Sequence, residues 1–458
     1  MLPSDLKDTI AAISTPSGEG GIGIVRLSGD RAVAIAAGMF ESSRRRDIRE
    51  NRGRVFHGHV KDAQGAVLDE VLLHVMRAPH SYTREDVVEI NCHGGAGPLN
   101  AVLERALSCG ARLAGPGEFT LRAFLNGRLD LVQAEAVIDR IQARTRAGLR
   151  AAAAAAEGVL SKSIRDMRDV LADALARIEA AVDFPEEDLP ELVDASLRVR
   201  LEGVHRRMLE LLGTAEAGRL CREGASVAIV GRPNVGKSSL FNALVRDARA
   251  IVTAQPGTTR DRIEEVITIS GIPVRLMDTA GLRDAGDEVE QIGVRIARDA
   301  LKSADIVLFV LDVCEPLCAE DERLADELRH LEQPVVLVMN KTDLAPGVSG
   351  PGWRFAATCR VSAKTNEGLD GLEAAVAQTL LGDASVAPDQ GMITRVHQRD
   401  SLRRAEGALR QLLDNYAASP EFLSIDLREA LSALGEITGE TTPEEILDRI
   451  FSAFCIGK

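Results

Sequence analysis

The spacing of apolar positions changes character from block to block along this chain. Over residues 1–126 it is short and alternating. Thr9–Ala12 and Gly23–Leu27 read as strands on either side of a glycine-rich turn. Val55–Val60 and Val67–Met76 alternate like the arms of a hairpin, Asp86–Asn91 reads as a further strand, and Gly97–Cys109 has helical spacing. A mixture of this kind predicts an α+β domain. His93-Gly-Gly-Ala-Gly resembles a phosphate loop only superficially, lacking the Lys-Ser/Thr pair, and reads as a turn before a helix.

From residue 127 to 219 the period becomes helical, with Val137, Ile141, Leu149, Val159, Ile164, Leu171, Leu175 and Ile178 recurring. Asp183-Phe-Pro-Glu-Glu-Asp-Leu-Pro interrupts it as a linker. Residues 220–384 alternate apolar strands with helices, the pattern of a mostly parallel sheet: 225–231, 274–278, 305–312, 335–340 and 358–362. Residues 385–458 are helical again. The organisation predicted is a multidomain chain: an α+β N-terminal domain, an α-helical domain built from both flanks, and an α/β nucleotide domain inserted into it.

That nucleotide domain is carried by an ordered set of motifs. Gly231-Arg-Pro-Asn234-Val235-Gly236-Lys237-Ser238-Ser239 follows an apolar run and opens a helix, as a phosphate-binding P-loop does. Backbone N–H groups of such a loop converge on phosphate oxygens, Lys237 reaches the β- and γ-phosphates, and the Ser238 hydroxyl can hold Mg²⁺. Asp278-Thr279-Ala280-Gly281 closes a strand, where a carboxylate holds Mg²⁺ through water and a glycine N–H meets the γ-phosphate. Asn340-Lys341-Thr-Asp343 closes another, and its Asp accepts two N–H bonds that guanine offers and adenine does not. Ser362-Ala363-Lys364 would back the base. Together they imply GTP and GDP as ligands.

Composition bounds the rest. With 458 residues and roughly 150 per domain, about three domains are expected. The aromatic share is 3%, so the cores must be aliphatic. Seven scattered cysteines argue for a reducing compartment, and with no apolar run of about 18 residues and no signal-like N-terminus, a cytoplasmic protein without a membrane span is expected. Net charge of -14 excludes a broadly basic nucleic-acid coat. Arg44, Arg45, Arg46, Arg49, Arg52 and Arg54 form a local basic cluster, read either as a solvated loop or as an RNA or phosphate contact.

The nucleotide core resembles the Era-like GTPases. The whole chain is similar to the TrmE (MnmE) family of tRNA-modification GTPases, on Gly20-Gly-Ile-Gly-Ile-Val-Arg26, Ser81-Tyr-Thr-Arg-Glu-Asp86, Pro116-Gly-Glu-Phe119, Ala123-Phe-Leu-Asn126, Leu129-Asp-Leu-Val-Gln-Ala-Glu135, Pro256-Gly-Thr-Thr-Arg-Asp261 and Cys455-Ile-Gly-Lys458. The resemblance implies a GTP-hydrolysing homodimer that works with the flavoprotein MnmG, as a heterotetramer, on the wobble uridine of certain tRNAs. It also implies a tetrahydrofolate derivative, in a 5-formyl or methylene form, as one-carbon donor. Arg26, Glu89, Arg128 and Lys458 match that family's folate-binding positions, and Cys455 its C-terminal cysteine, which reads equally as a reactive or a structural thiol. Glu and basic groups suit the pterin N–H groups and the glutamyl carboxylates.

Leu282 stands where many GTPases carry a water-orienting Gln. The hypothesis for this chain is a monovalent cation, K⁺, held by Asn234. The resemblance adds Thr253, Gln255 through its carbonyl, and Thr258, within a switch segment Thr253-Ala254-Gln255-Pro256-Gly257-Thr258-Thr259 that also contacts GTP. Thr259 is expected as the second Mg²⁺ ligand beside Ser238, and Glu290 matches the family's candidate for organising the water. Lys237, Asn234 and Glu290 are thus the catalytic candidates. Two alternatives stay open: an Era-like RNA-binding switch in ribosome assembly, and a signalling switch with a vestigial folate pocket.

Overall fold

The computed structural model describes residues 8–50, 55–183, 195–248, 264–278, 303–345, 350–382, 386–417 and 419–458. The chain divides into two compact units, one of residues 1–138, 156–192 and 417–458, the other of residues 139–155 and 193–416.

In the first unit, β1 (Ile10–Ile13), β2 (Gly20–Ser28), β3 (Phe40–Ser42), β4 (Val55–Lys61), β5 (Val67–Met76), β6 (Val87–Gly94) and β7 (Arg112–Leu113) form one sheet in the order β3-β4-β5-β6-β2-β1-β7. Every pairing is antiparallel except β1 with β7. Side chains alternate across it, so Val60, Val71, Leu73, Val75, Val88, Ile90, Val25 and Leu27 face a common core. The helices Ala32–Met39 and Ala96–Ser108 cover that face through Val33, Ile35, Leu99 and Val102. The opposite face carries His57, Leu72, Glu89 and Asn91, the polar-out side of an antiparallel sheet. The hairpin and strand expectations agree with this sheet. The helix Ala32–Met39 was not anticipated, because its alanine-rich sequence has no polar stripe to mark a period.

Helices from distant parts of the chain complete this unit. Val159–Asp183 packs along Pro420–Thr438. Glu444–Ser452 sets Leu447 and Phe451 against Leu121, Leu131 and Ile138. The C-terminal segment then returns to the sheet domain, with Ile456 bridging Pro116 and the Gly117 N–H donating to the Cys455 carbonyl. Most of the linker expected over residues 183–190 lies outside the described residues.

The second unit holds β8 (Ala225–Val230), β9 (Glu264–Ile269), β10 (Ile272–Asp278), β11 (Ile306–Asp312), β12 (Val335–Asn340) and β13 (Ala357–Arg360), in the order β13-β12-β11-β8-β10-β9. All pairs are parallel except β9 with β10, a hairpin edge not anticipated from the sequence. Strands β11 and β12 are buried at every position, because helices cover both faces. Lys237–Ala248 and Leu369–Leu381 pack on one face, and Ala319–Arg329 with Trp353 and Phe355 on the other. The same unit holds the helices Ala195–Gly213 and Val396–Asp414, which pack together. In the helical blocks Ile141 and Leu149 are exposed, although the apolar period includes them. Among the described residues no helix is long and apolar enough to cross a membrane.

Candidate functional site

The carboxyl ends of β8, β11, β12 and β13 lie along one side of the sheet, and the described residues of the P-loop, the Asn340–Asp343 loop and the Ser362–Lys364 segment sit there, as expected for an open parallel sheet. After β8 the chain turns through Gly231–Gly236 into the helix beginning at Lys237. Asn234 adopts a left-handed backbone, φ 64°, and Gly236 has φ 97°. At Gly236 a Cβ would stand 2.2 Å from Asn340 Nδ2, so only glycine lets the base-recognition loop lie this close. Lys237 is buried, and its Nζ donates to the carbonyls of Gly231 at 3.0 Å and Arg232 at 2.6 Å. Ser238 and Ser239 follow in the first helical turn, both exposed.

Two hydrogen bonds fasten the base loop to its neighbours. Asn340 Nδ2 donates to the Val235 carbonyl at 2.9 Å, and Asn340 Oδ1 accepts from the Ala363 N–H at 3.0 Å. Lys341, also left-handed at φ 65°, donates to the Asn234 carbonyl at 3.0 Å and to Asp312 Oδ2 at 2.5 Å. Ser362 Oγ donates to Asp343 Oδ1 at 2.7 Å, holding that carboxylate in place. The Asp343 carboxylate thus stays ready for paired N–H donors. A cavity of about 550 Å³ opens between these groups, lined by Gly236, Ser239, Asn340, Lys341, Asp343, Ser362, Ala363 and Lys364. Asn234, Val235, Gly236, Lys237, Ser238, Ser239, Asn340, Lys341, Asp343, Ser362, Ala363 and Lys364 are therefore brought together.

Asp312 was missed in the sequence, although it closes an apolar strand as Asp278 and Asn340 do. Burial pushes its carboxyl up, but the Lys341 ammonium and the Cys314 N–H outweigh burial and hold it below the usual carboxylate range. Arg232 pairs with the buried Asp321 at 2.7 Å and so ties the loop to the helix Ala319–Arg329. Asn242, Arg246 and Asn366 also line the cavity without having been singled out. The backbone of Asp278 ends β10 opposite Ile229. Thr253, Ala254, Gln255, Pro256, Gly257, Thr258, Thr259, Thr279, Ala280, Gly281, Leu282 and Glu290 lie outside the described residues.

A second cluster belongs to the first unit. Arg26 of β2 stands directly across from Glu89 of β6, and its Nε and Nη2 donate to Glu89 Oε1 at 2.9 and 2.7 Å. Its Nη1 donates to the Gly457 carbonyl at 3.3 Å. Two guanidiniums stand over the Tyr82 ring, Arg26 at 5.6 Å and Arg128 at 4.7 Å from its centroid. Arg128 also donates to the Tyr82 carbonyl at 3.1 Å. The fold thus gathers Arg26, Glu89 and Arg128 and lays the segment ending in Lys458 against them. Tyr82 is the member that sequence reading passed over. Cys455 is exposed.

A P-loop bound to an Asn-Lys-x-Asp loop at the carboxyl edge of a parallel sheet defines the second unit as a P-loop GTPase fold. The TrmE N-terminus profile matches residues 9–128 and the MnmE helical domain profile residues 131–455. The tRNA modification GTPase MnmE of Geotalea uraniireducens is 45% identical over 457 residues, covering 99% of this chain and 100% of the relative. That of Chloroflexus aurantiacus is 49% identical over 460 residues, again covering 99% and 100%. That of Geobacillus thermodenitrificans is 46% identical over 460 residues, covering 98% and 99%. The chain belongs to the tRNA modification GTPase MnmE family.

Proposed function

We propose that this protein hydrolyses GTP and couples hydrolysis to modification of the wobble uridine of tRNA, as a homodimer working with the flavoprotein MnmG in the cytoplasm. The observation that carries the reading is the joined P-loop and base-recognition network, in a chain that matches its family over almost its whole length. Asp343, held by Ser362, selects guanine. Lys237 exchanges its loop carbonyls for β- and γ-phosphate oxygens. Water attacks the γ-phosphorus, the bond to the β–γ bridging oxygen breaks, and GDP leaves with phosphate.

The donors present suit the proposed ions. Ser238 offers a hydroxyl at the helix start, and together with Thr259 it would hold Mg²⁺, which neutralises phosphate charge. The Asn234 backbone carbonyl is engaged by Lys341, while its side-chain amide is exposed and makes no hydrogen bond among the described residues. Asn234, with Thr253, Gln255 and Thr258, would hold K⁺, whose charge substitutes for an arginine finger. Glu290 would orient the water that Leu282 leaves unattended. In the first unit, Glu89 would receive pterin N–H groups, while Arg26, Arg128 and Lys458 would meet folate carboxylates. Bound there, a 5-formyl or methylene tetrahydrofolate supplies the one-carbon unit.

The test is GTP hydrolysis by the purified chain in K⁺ against Na⁺ buffer at equal ionic strength. Strong K⁺ stimulation lost in Asn234→Ala is expected, and equal rates in both buffers for both proteins would remove the cation from the reading. Nucleoside mass spectrometry of tRNA incubated with the chain, MnmG, folate and an amine tests the modification itself.

A further inference from the structure

Four arginines of the basic cluster, Arg44, Arg45, Arg46 and Arg49, are a built feature of the first unit, while Arg52 and Arg54 lie outside the described residues. Ile48 is 3% exposed and sits in the sheet core, which anchors the segment between β3 and β4. Around it the Arg45 N–H donates to the Ser42 carbonyl, the Arg44 N–H to Ser42 Oγ, and the Arg49 N–H to Asp47 Oδ1. Arg44, Arg45, Arg46 and Arg49 are all exposed around the buried isoleucine. Among the described residues the guanidiniums of Arg44, Arg46 and Arg49 have no hydrogen bond or ion pair.

This rim is continuous with the strand ends of the sheet beside which the second cluster lies. Arg77 Nη2 donates to the Arg49 carbonyl at 2.9 Å, while its Nη1 pairs with Asp86 at 2.5 Å. Asp86 closes the 81–86 segment that holds Tyr82 and Arg84, and Arg84 donates to the Asn126 carbonyl at 2.9 Å. Arg128 follows beside Tyr82. One edge of the sheet domain thus runs from Arg44 to Arg128, in a chain whose net charge is -14. Such a chain offers polyanions a local surface only.

We propose that this edge docks the sugar–phosphate backbone of the RNA substrate, with Arg44, Arg46 and Arg49 as the phosphate contacts farthest from the Arg26–Glu89 cluster. It rests on the reading of tRNA as substrate and adds where this chain holds it. Arginine suits the task because its planar fork meets two phosphate oxygens at once. An anionic bilayer is the poorer fit. Interfacial segments insert apolar side chains, and the only apolar residue of 43–50, Ile48, is buried.

The experiment uses the full chain and a fluorescently labelled anticodon stem-loop RNA, with anisotropy read across a salt series. The variant is Arg44→Ala/Arg46→Ala/Arg49→Ala, which leaves Ile48 in place. Losing three phosphate contacts should weaken binding at least about tenfold at low salt and flatten the slope of log K against log salt by about 2 to 3. The triple Lys variant should recover most of the affinity at low salt, and GTP hydrolysis, which belongs to the other unit, should be unchanged in both. Unchanged affinity and slope in the Ala variant would overturn the docking edge while leaving the proposed function standing. So would loss of binding to phosphatidylglycerol vesicles with RNA binding intact. A wild-type chain that binds no RNA, with or without MnmG, would also overturn it. Failure of wild type to yield modified nucleoside in the mass-spectrometric assay would remove the underlying reading instead.

Discussion

Asn340→Ala tests whether the base loop and the phosphate loop form one mechanical unit. Asn340 is 1% exposed and bridges Val235 to Ala363. Truncation removes both bonds and puts no polar group in their place. The Val235 carbonyl lies in buried surroundings, where an unmet acceptor costs about 1–3 kcal/mol. The Ala363 N–H is only half-buried and falls at the low end, about 1 kcal/mol. A total near 3 kcal/mol should lower the unfolding midpoint of the nucleotide unit by about 6–12 °C. If the loops separate rather than the unit melting, the same energy appears as GDP affinity lost by about two orders of magnitude. Calorimetric titration with GDP and a thermal melt of the same preparation separate the two. Asn340→Asp is the control. It can still accept from the Ala363 N–H but cannot donate to Val235, so it should retain part of the effect. If Asn340→Ala keeps GDP affinity within threefold and its midpoint within a degree, the two bonds carry no such load and the reasoning fails.

Two further outcomes follow from the described geometry. Asp312 has a folded pKa below its unfolded value, so its stabilising contribution is present above the usual carboxylate range and is lost as pH falls below about 4 toward the folded value. Asp312→Asn should therefore flatten the acid limb of a stability-against-pH curve for GDP-free protein, and an unchanged limb would show that Lys341 does not hold the carboxylate. Gly457 has φ 93°, and a Cβ there would stand 2.3 Å from the Ile13 carbonyl. Gly457→Ala should unseat the terminal segment and weaken binding of 5-formyltetrahydrofolate at least tenfold by equilibrium titration, with GTP hydrolysis in K⁺ retained. Equal folate affinity would show that the segment plays no part in that site.

The longer strands of both sheets were legible because their apolar periods are clean and their ends are marked by glycine or by a polar residue, whereas β3 and β7, of three and two residues, are too short to show a period and were not read. The edge strand β9 was not read, although Val266, Ile267 and Ile269 are apolar, because it lies between two motif-bearing segments and carries no chemistry of its own. Ile141 and Leu149 show the converse. They satisfy a helical period yet are exposed, since period reports which face is apolar and not whether anything covers it. The P-loop and the Asn-Lys-Thr-Asp motif could be read as chemistry because each is local: a few consecutive residues fix backbone turn, charge and donor set.

What the sequence determined by itself is therefore the local part. It carried the expectation that the loop glycines and Lys237 bind phosphate and that Asp343 reads guanine, and it specified that strands and helices alternate around them. What only the tertiary structure decided is which distant residues meet. Arg26 and Glu89 are joined by the β2–β6 register. Tyr82 enters the cluster because its ring contacts two guanidiniums, those of Arg26 and Arg128. The Gly457 carbonyl arrives there after helix packing has carried the chain back to its first strand. Register and docking are set by the burial of whole faces rather than by neighbours in sequence, and no short pattern encodes that sum.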